Sequence, residues 1–304
     1  MEKLSNVLSV VLPVLAALAL GWYARRGRLL DGGAVEGLKT LVMWFMLPAV
    51  LLRAFYQIDF SGDLLVIAAC MFLCCLAGLG LGALMAKGDK GLLPFLTCGF
   101  EAGMMGYGLY AMLFPAETHN FAMVDLGQVL FVFTVYSALL NRRKGVSGRE
   151  TLRAMVASPV FLAIGAGIVL SASGLGALLL SSGAGAPVEA VLSYISGPTG
   201  VLMLFVVGYQ LEWSRRSLRA ALLTVALRTV IMGALCGLTL GVLGLLLPVE
   251  GPMFWAVVLM FTLPAPFVLP IFSGDEEQAG YVATTLSVGV FISVLLFAGI
   301  SVLI

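Results

Sequence analysis

The sequence predicts an all-α integral membrane protein with ten transmembrane helices, arranged as two inverted five-helix repeats in which helices 4 and 9 are broken and cross. Three observations lead there. Hydrophobic residues fill 61% of the 304 positions and charged residues only 11%, with a mean hydropathy of +1.08, so the solvent such a chain needs is a bilayer. Apolar stretches of about 20 residues, the length of a membrane-crossing helix, recur along the chain with Lys and Arg gathered in alternate connections. Two of those stretches, 91–114 and 253–273, are interrupted at their centres by helix-breaking residues.

The elements read in order as follows. Span 1, 5–24, contains Pro13 and is followed by Arg25, Arg26 and Arg28. Met1-Glu2-Lys3 is barely positive and the charge cluster follows the apolar run, which fits a first span better than a secretory signal. Span 2 is 34–56, with Pro48 and Arg53, and span 3 is 63–86. Span 4, 91–114, carries Glu101-Ala102-Gly103-Met104-Met105-Gly106-Tyr107-Gly108, and span 5, 119–141, carries Asp125 and Gln128. The second half gives 152–172 with Pro159, 187–211 with Pro198, and 217–247 with Arg228. It ends with 253–273, containing Leu263-Pro264-Ala265-Pro266 and then Pro270, and 279–303. Span 8 is long enough to tilt, or to begin along the membrane surface.

Charge sets the orientation. With the N-terminus outside, the inner connections hold Arg25, Arg26, Arg28, Lys39, Lys87, Lys90, Arg142, Arg143, Lys144, Arg149, Arg153, Arg215, Arg216 and Arg219, which are 14 of the 17 basic residues. Only Lys3, Arg53 and Arg228 fall elsewhere, and the outer connections 57–62, 115–118 and 248–252 contain none. The positive-inside rule then places the chain in a cytoplasmic (inner) membrane with both termini outside. A repeat is also visible. Leu12-Pro13-Val14 is echoed by Ser158-Pro159-Val160, and the end of span 2, Tyr56-Gln57-Ile58-Asp59, by Tyr209-Gln210-Leu211-Glu212. The offset maps spans 1–5 onto 6–10. Because five is odd, the second copy is inverted, as in many secondary transporters. The units are 1–141 and 152–304, joined by a cytoplasmic linker, 142–151. Cysteines 70, 74, 75, 98 and 236 sit in apolar stretches and read as core thiols. A net charge of +1 without basic, aromatic-interleaved runs argues against nucleic acid. No nucleotide, zinc or hydrolase fingerprint is present, so no cofactor or metal is expected.

Trp44-Phe45-Met46-Leu47-Pro48-Ala49, Ala157-Ser158-Pro159-Val160-Phe161-Leu162, Leu263-Pro264-Ala265-Pro266 and Gly274-Asp275-Glu276-Glu277, together with the ten-span plan, resemble the auxin efflux carrier family, whose bacterial members include malonate and other organic-acid permeases. The resemblance covers essentially the whole chain. It implies a fold similar to the bile-acid/sodium symporter superfamily, a scaffold and a transport domain, elevator-type alternating access and substrate held where spans 4 and 9 cross. It is also compatible with a homodimer. The chain departs from the family in having Ser158-Pro159 where Asn-Pro is common, and Glu101-Ala102-Gly103 where an Asn-Gly is common.

A broken helix presents free amide donors at one half and free carbonyls at the other, which suit a carboxylate and a cation or proton donor respectively. Gly103, Met104, Gly106, Tyr107, Gly108, Pro264, Ala265 and Pro266 are therefore the expected substrate-binding residues. The plainer reading is that these glycines and prolines only kink packed helices; elsewhere Pro13, Pro48, Pro159 and Pro198 are the expected helix breaks. Glu101 stands near the membrane midplane, where an acid is costly and a functional candidate, here for carrying a proton. Asp125 and Gln128 lie nearer the outer end of span 5, so a solvated or structural role competes with a coupling one. Arg228 is read three ways: as neutralising Glu101 or Asp125, as binding an anionic substrate, or as a structural ion pair. Arg53 is expected to snorkel, and His119 to be a solvated loop residue. The leading function is a secondary transporter for a small organic anion, a carboxylate or auxin-like weak acid, driven by substrate, proton or sodium gradients and with lipid as its other partner. An integral-membrane enzyme and a channel using the same broken-helix cavity are the alternatives.

Overall fold

The computed structural model describes residues 2–56, 58, 62–86 and 91–304, with side chains from residue 7 onward. Lys87 and Lys90 of the basic count, and Gln57 and Asp59 of the repeat, lie outside the described residues. All regular structure among them is helical. Helices α1 (Glu2–Arg26), α2 (Gly32–Tyr56) and α3 (Gly62–Met85) come first. A single turn, α4 (Leu93–Leu96), then leads through unwound chain to α5 (102–113) and to α6 (Thr118–Arg143). The second half holds α7 (Gly148–Val156), α8 (Pro159–Ala172), α9 (Leu175–Ser181), α10 (Gly185–Ser196), α11 (Thr199–Gln210), α12 (Leu218–Leu246), α13 (Gly251–Thr262) and α14 (Glu276–Leu303). Between α13 and α14 lies one 3-10 turn, Leu269–Phe272. Seven helical runs are long and apolar enough to cross a membrane, with α10 and α11 forming one of them, and the pair α7–α8, bent by 59°, would make an eighth. These features fit a multi-pass membrane protein.

The helices pack in two groups. In one, α1 lies along α11 and α2 along α8 and α10; in the other, α3 lies along α6, and α12 touches α3, α13 and α14. Small residues permit these contacts, because in lipid it is close backbone packing that holds helices together. A methyl group built on Gly21 would come within 2.0 Å of the Phe205 carbonyl oxygen, and one on Gly208 within 2.1 Å of that of Leu18. The α1–α11 contact is thus glycine-dependent from both sides. Gly127 plays the same part between α6 and α3, 2.0 Å from the Ala68 carbonyl.

The expected helix breaks divide. Pro13 does not break α1, which runs through it, and Pro48 sits inside the continuous α2. A membrane helix absorbs one proline where neighbouring groups re-satisfy the freed carbonyl. Pro159 does mark a bend: it takes the first position of α8, where the missing N–H costs nothing. Pro198 lies in the short interruption between α10 and α11. Within the expected linker, 142–151, a helix starts at Gly148, capped by Ser147 and Glu150 in a reciprocal capping box.

Candidate functional site

Both interrupted spans are interrupted in the structure, and the two interruptions touch. The position of the first, however, differs from expectation. The first lies at residues 97–101, before the Gly103–Gly108 stretch rather than within it. Gly103 and Gly106 belong to a π-helical turn and Gly108 to regular helix, while the residue that takes up the turn is Gly99, with φ +64°. Gly106 and Gly108 serve packing. A methyl group on Gly106 would meet the Phe121 ring at 2.5 Å, and one on Gly108 would come within 3.3 Å of the Gly200 Cα on α11. The second interruption falls at Leu263–Pro266 as expected, but only the 3-10 turn follows it.

Neither break is central. The two long halves, α5 and α13, share one side, where Tyr110 donates to the Pro252 carbonyl at 2.9 Å. The two short pieces share the other, where Arg143 donates to the Gly91 carbonyl at 3.1 Å and Lys144 to that of Ile271 at 2.5 Å. The crossing is therefore displaced toward the face that carries the basic loop.

Unwound chain away from water must find partners for every polar group, and here they can be named. Tyr136 donates to the Phe95 carbonyl at 3.2 Å, and Gln128 to that of Phe100 at 2.8 Å. The Arg228 guanidinium takes the carbonyls of Leu96, Cys98 and Gly99, and across the crossing that of Leu263. The Glu101 amide donates to the Pro264 carbonyl at 2.9 Å. The Glu101 carboxylate caps α5 by accepting from the Met104 amide at 3.1 Å and receives the Phe267 amide at 2.5 Å. One carboxylate thus holds donors from both broken spans, and one guanidinium holds acceptors from both.

Three sequence expectations change as a result. Arg228 neutralises neither Glu101 nor Asp125; among the described residues no carboxylate lies within ion-pair distance of it. Asp125 is not solvated: with 2% of its surface exposed, it faces the Tyr107 hydroxyl in the interior. Arg53 does not snorkel but ties α2 to α10 through Glu189, at 2.5 Å, with the Tyr56 hydroxyl on the other carboxylate oxygen. His119 sits beside Glu117 at 3.4 Å, partly exposed.

At the crossing lies a cavity of about 400 Å³. Its polar lining is Glu101, Asp125, Gln128, Tyr107, Lys39 and Ser137, set among Phe100, Phe133, Phe267 and methionines. Of the expected substrate residues, Gly103, Met104, Tyr107 and Pro266 line it, whereas Gly106, Gly108, Pro264 and Ala265 stand behind as packing and backbone. Tyr107 Oη, Asp125 Oδ1 and Gln128 Oε1 are enclosed without a hydrogen-bond partner. Tyr107 and Asp125 lie within interaction range of each other, and all three residues line the cavity. Three π-helical turns, Val42–Met46, Ala102–Gly106 and Val132–Tyr136, all contribute lining residues. Such turns often mark functional sites, because the extra residue turns side chains aside from the helical register.

Lys39 is the base that sequence reading assigned only to topology. It lies within electrostatic reach of Glu101 and, with Phe267 and Ile271, joins this cavity to a hollow of about 450 Å³ that extends to Arg25 and Glu212. On the opposite side, Tyr107 also borders a hollow of about 390 Å³ that reaches Arg53 and Thr118. No protein-family model matches the chain, and no curated protein matches it either.

Proposed function

We propose that the chain is a secondary transporter of the kind its resemblance to the auxin efflux carrier family implies, moving a small organic anion through the cavity where its two broken spans meet. The observation that carries this reading is the shared grip of Glu101 on the Met104 and Phe267 amides at the edge of that cavity. Two amides from two broken segments, converging on one carboxylate, form a carboxylate-binding arrangement. In this conformation the chain's own carboxylate fills it.

Coupling follows from the competition. While Glu101 is ionised it holds both amides; once protonated it releases them to a substrate carboxylate, with Lys39 supplying the adjacent positive charge. The other ionisable groups around it are Asp125 and Tyr107 on the cavity wall, and Tyr136 and Arg228 behind the unwound chain. Proton uptake and anion binding would thus occur together.

The ten-span inverted repeat is supported by how the helices pair. Contact α1–α11 (spans 1 and 7) has its mate in α8–α2 (spans 6 and 2), and α3–α6 (spans 3 and 5) in α12–α14 (spans 8 and 10). The same pairing gathers α1, α2, α8, α10 and α11 into one set and α3, α6, α12, α13 and α14 into another, the two sets meeting where α1 packs on α14 and α2 on α6.

The test is a thermal-stability screen of the purified chain against mono- and dicarboxylates at acidic and neutral pH, followed by uptake of the best ligand into proteoliposomes. Stabilisation that strengthens at acidic pH, with saturable and counter-stimulated uptake, is the expected result. No shift with any acid at either pH would reject the anion-carrier reading. A channel is the second reading, favoured by the hollows on either side of Tyr107; it predicts uptake that does not saturate.

A further inference from the structure

The ends of the two broken spans that expose carbonyl oxygens are where membrane carriers bind a coupling cation, because unwound backbone there offers several oxygens with no donor of their own. In this chain those oxygens are taken. Arg228, 6% exposed in the interior of α12, directs Nη1 at the carbonyls of Leu96, 3.0 Å, and Cys98, 3.4 Å, and Nη2 at those of Gly99, 2.6 Å, and Leu263, 3.0 Å. The first is the last residue of α4, the next two belong to the interruption that follows it, and the fourth belongs to the interruption of the other span. The Phe100 ring closes the remaining side, 5.5 Å from the guanidinium carbon. A fixed positive charge in apolar surroundings ordinarily has a carboxylate beside it; this one has four carbonyls instead, the coordination of a bound cation.

We propose that Arg228 is a tethered counter-cation occupying the cation site of the crossing, so that the carrier is assembled without sodium and works independently of it. The proposal rests on the transporter reading for its functional half. Its structural half, a carbonyl cage that requires a cation, stands without it. The two poles of the crossing then complement each other: Glu101 satisfies the donors and Arg228 the acceptors. A guanidinium suits the task better than an ammonium, since its planar fork of five N–H groups reaches several oxygens at once and stays charged when buried.

The experiment follows the thermal stability of the purified full-length chain in sodium, potassium and N-methylglucamine chlorides at equal ionic strength, for the wild type, Arg228→Ala and Arg228→Lys. The wild type is expected to melt at the same temperature in all three salts. Arg228→Ala is expected to melt lower and to recover by about 3 °C or more in sodium relative to potassium. Low-millimolar guanidinium chloride, far below denaturing concentrations, should restore it similarly. A residue serving only to fill space would show neither cation response. Arg228→Lys retains the charge and should stay indifferent to sodium, which keeps the test open even if the alanine variant does not fold. Selective stabilisation of the wild type by sodium would overturn the proposal, as would an alanine variant that responds to neither cation. None of these samples contains an organic anion, so failure here is separate from failure of the anion screen.

Discussion

A buried acid in a membrane protein needs a reason, and for Glu101 the reason is two N–H groups, one 3 residues away at Met104 and the other 166 residues away at Phe267. Glu101→Gln keeps the shape and one acceptor oxygen but turns an NH2 toward the second amide. The expected cost is about 1–3 kcal/mol of stability, seen as a lower melting temperature, and uptake whose pH dependence is flattened because the side chain no longer takes up a proton. An unchanged pH profile in proteoliposomes would remove Glu101 from coupling. Gly99 makes a second residue-scale case. At φ +64° any side chain is strained, and a methyl group would also stand 3.1 Å from Pro266. Gly99→Ala should therefore cost about 1–2 kcal/mol and weaken anion binding by loosening the crossing, measured as a reduced thermal shift with the same ligand. The sequence pointed to Glu101, since an intramembrane acid is conspicuous. It could not single out Gly99 among 36 glycines, because packing alone decides which glycine takes the left-handed turn. Lys39 was hidden for a different reason: a base beside a span boundary is indistinguishable from a topology signal until the helix is placed.

At the scale of elements, legibility followed locality. Apolar length located the continuous helices, and the prolines located the second interruption, because both effects act within a few residues. The glycine run at 103–108 misdirected the first interruption. It looks like a helix breaker, yet in lipid small residues are the means by which helices approach, and here they seat α5 against Phe121 and α11. Partnerships such as Arg53 with Glu189 were illegible, since nothing near Arg53 in sequence hints at α10. The close approach of α1 to α11 offers a direct check. Gly208→Ala places a methyl group 2.1 Å from a backbone oxygen that cannot rotate away. It should destabilise by about 1–3 kcal/mol, a lower melting temperature in detergent. Gly237→Ala, on an open stretch of α12 with nothing within 4 Å, should be neutral or mildly stabilising.

For the whole molecule, the decisive relation is between the central cavity and the hollows on its two sides. Tyr107 lines both the cavity and the hollow that reaches Arg53, so its side chain is a shared wall. The ring is held edge-on against Phe121, with centroids 4.9 Å apart, and is almost fully buried. On the other side Lys39, Phe267 and Ile271 border both the cavity and the hollow that extends to the basic face. In the conformation described, the cavity adjoins the hollow that reaches Arg25 and Glu212, and Tyr107 is its wall toward the hollow that reaches Arg53. If a carrier moves substrate by shifting one helix group against the other, this wall must remain intact throughout the cycle. Tyr107→Phe keeps the ring and should preserve saturable uptake. Tyr107→Ala removes the wall and should join the two hollows through the cavity, converting part of the flux into a leak that rises linearly with anion concentration. Proteoliposome uptake over a wide range of concentrations of the best ligand from the carboxylate screen distinguishes the two. A linear component in the wild type itself would favour a channel, whereas a Tyr107→Ala variant that still saturates would place the barrier in the helices rather than in this one side chain.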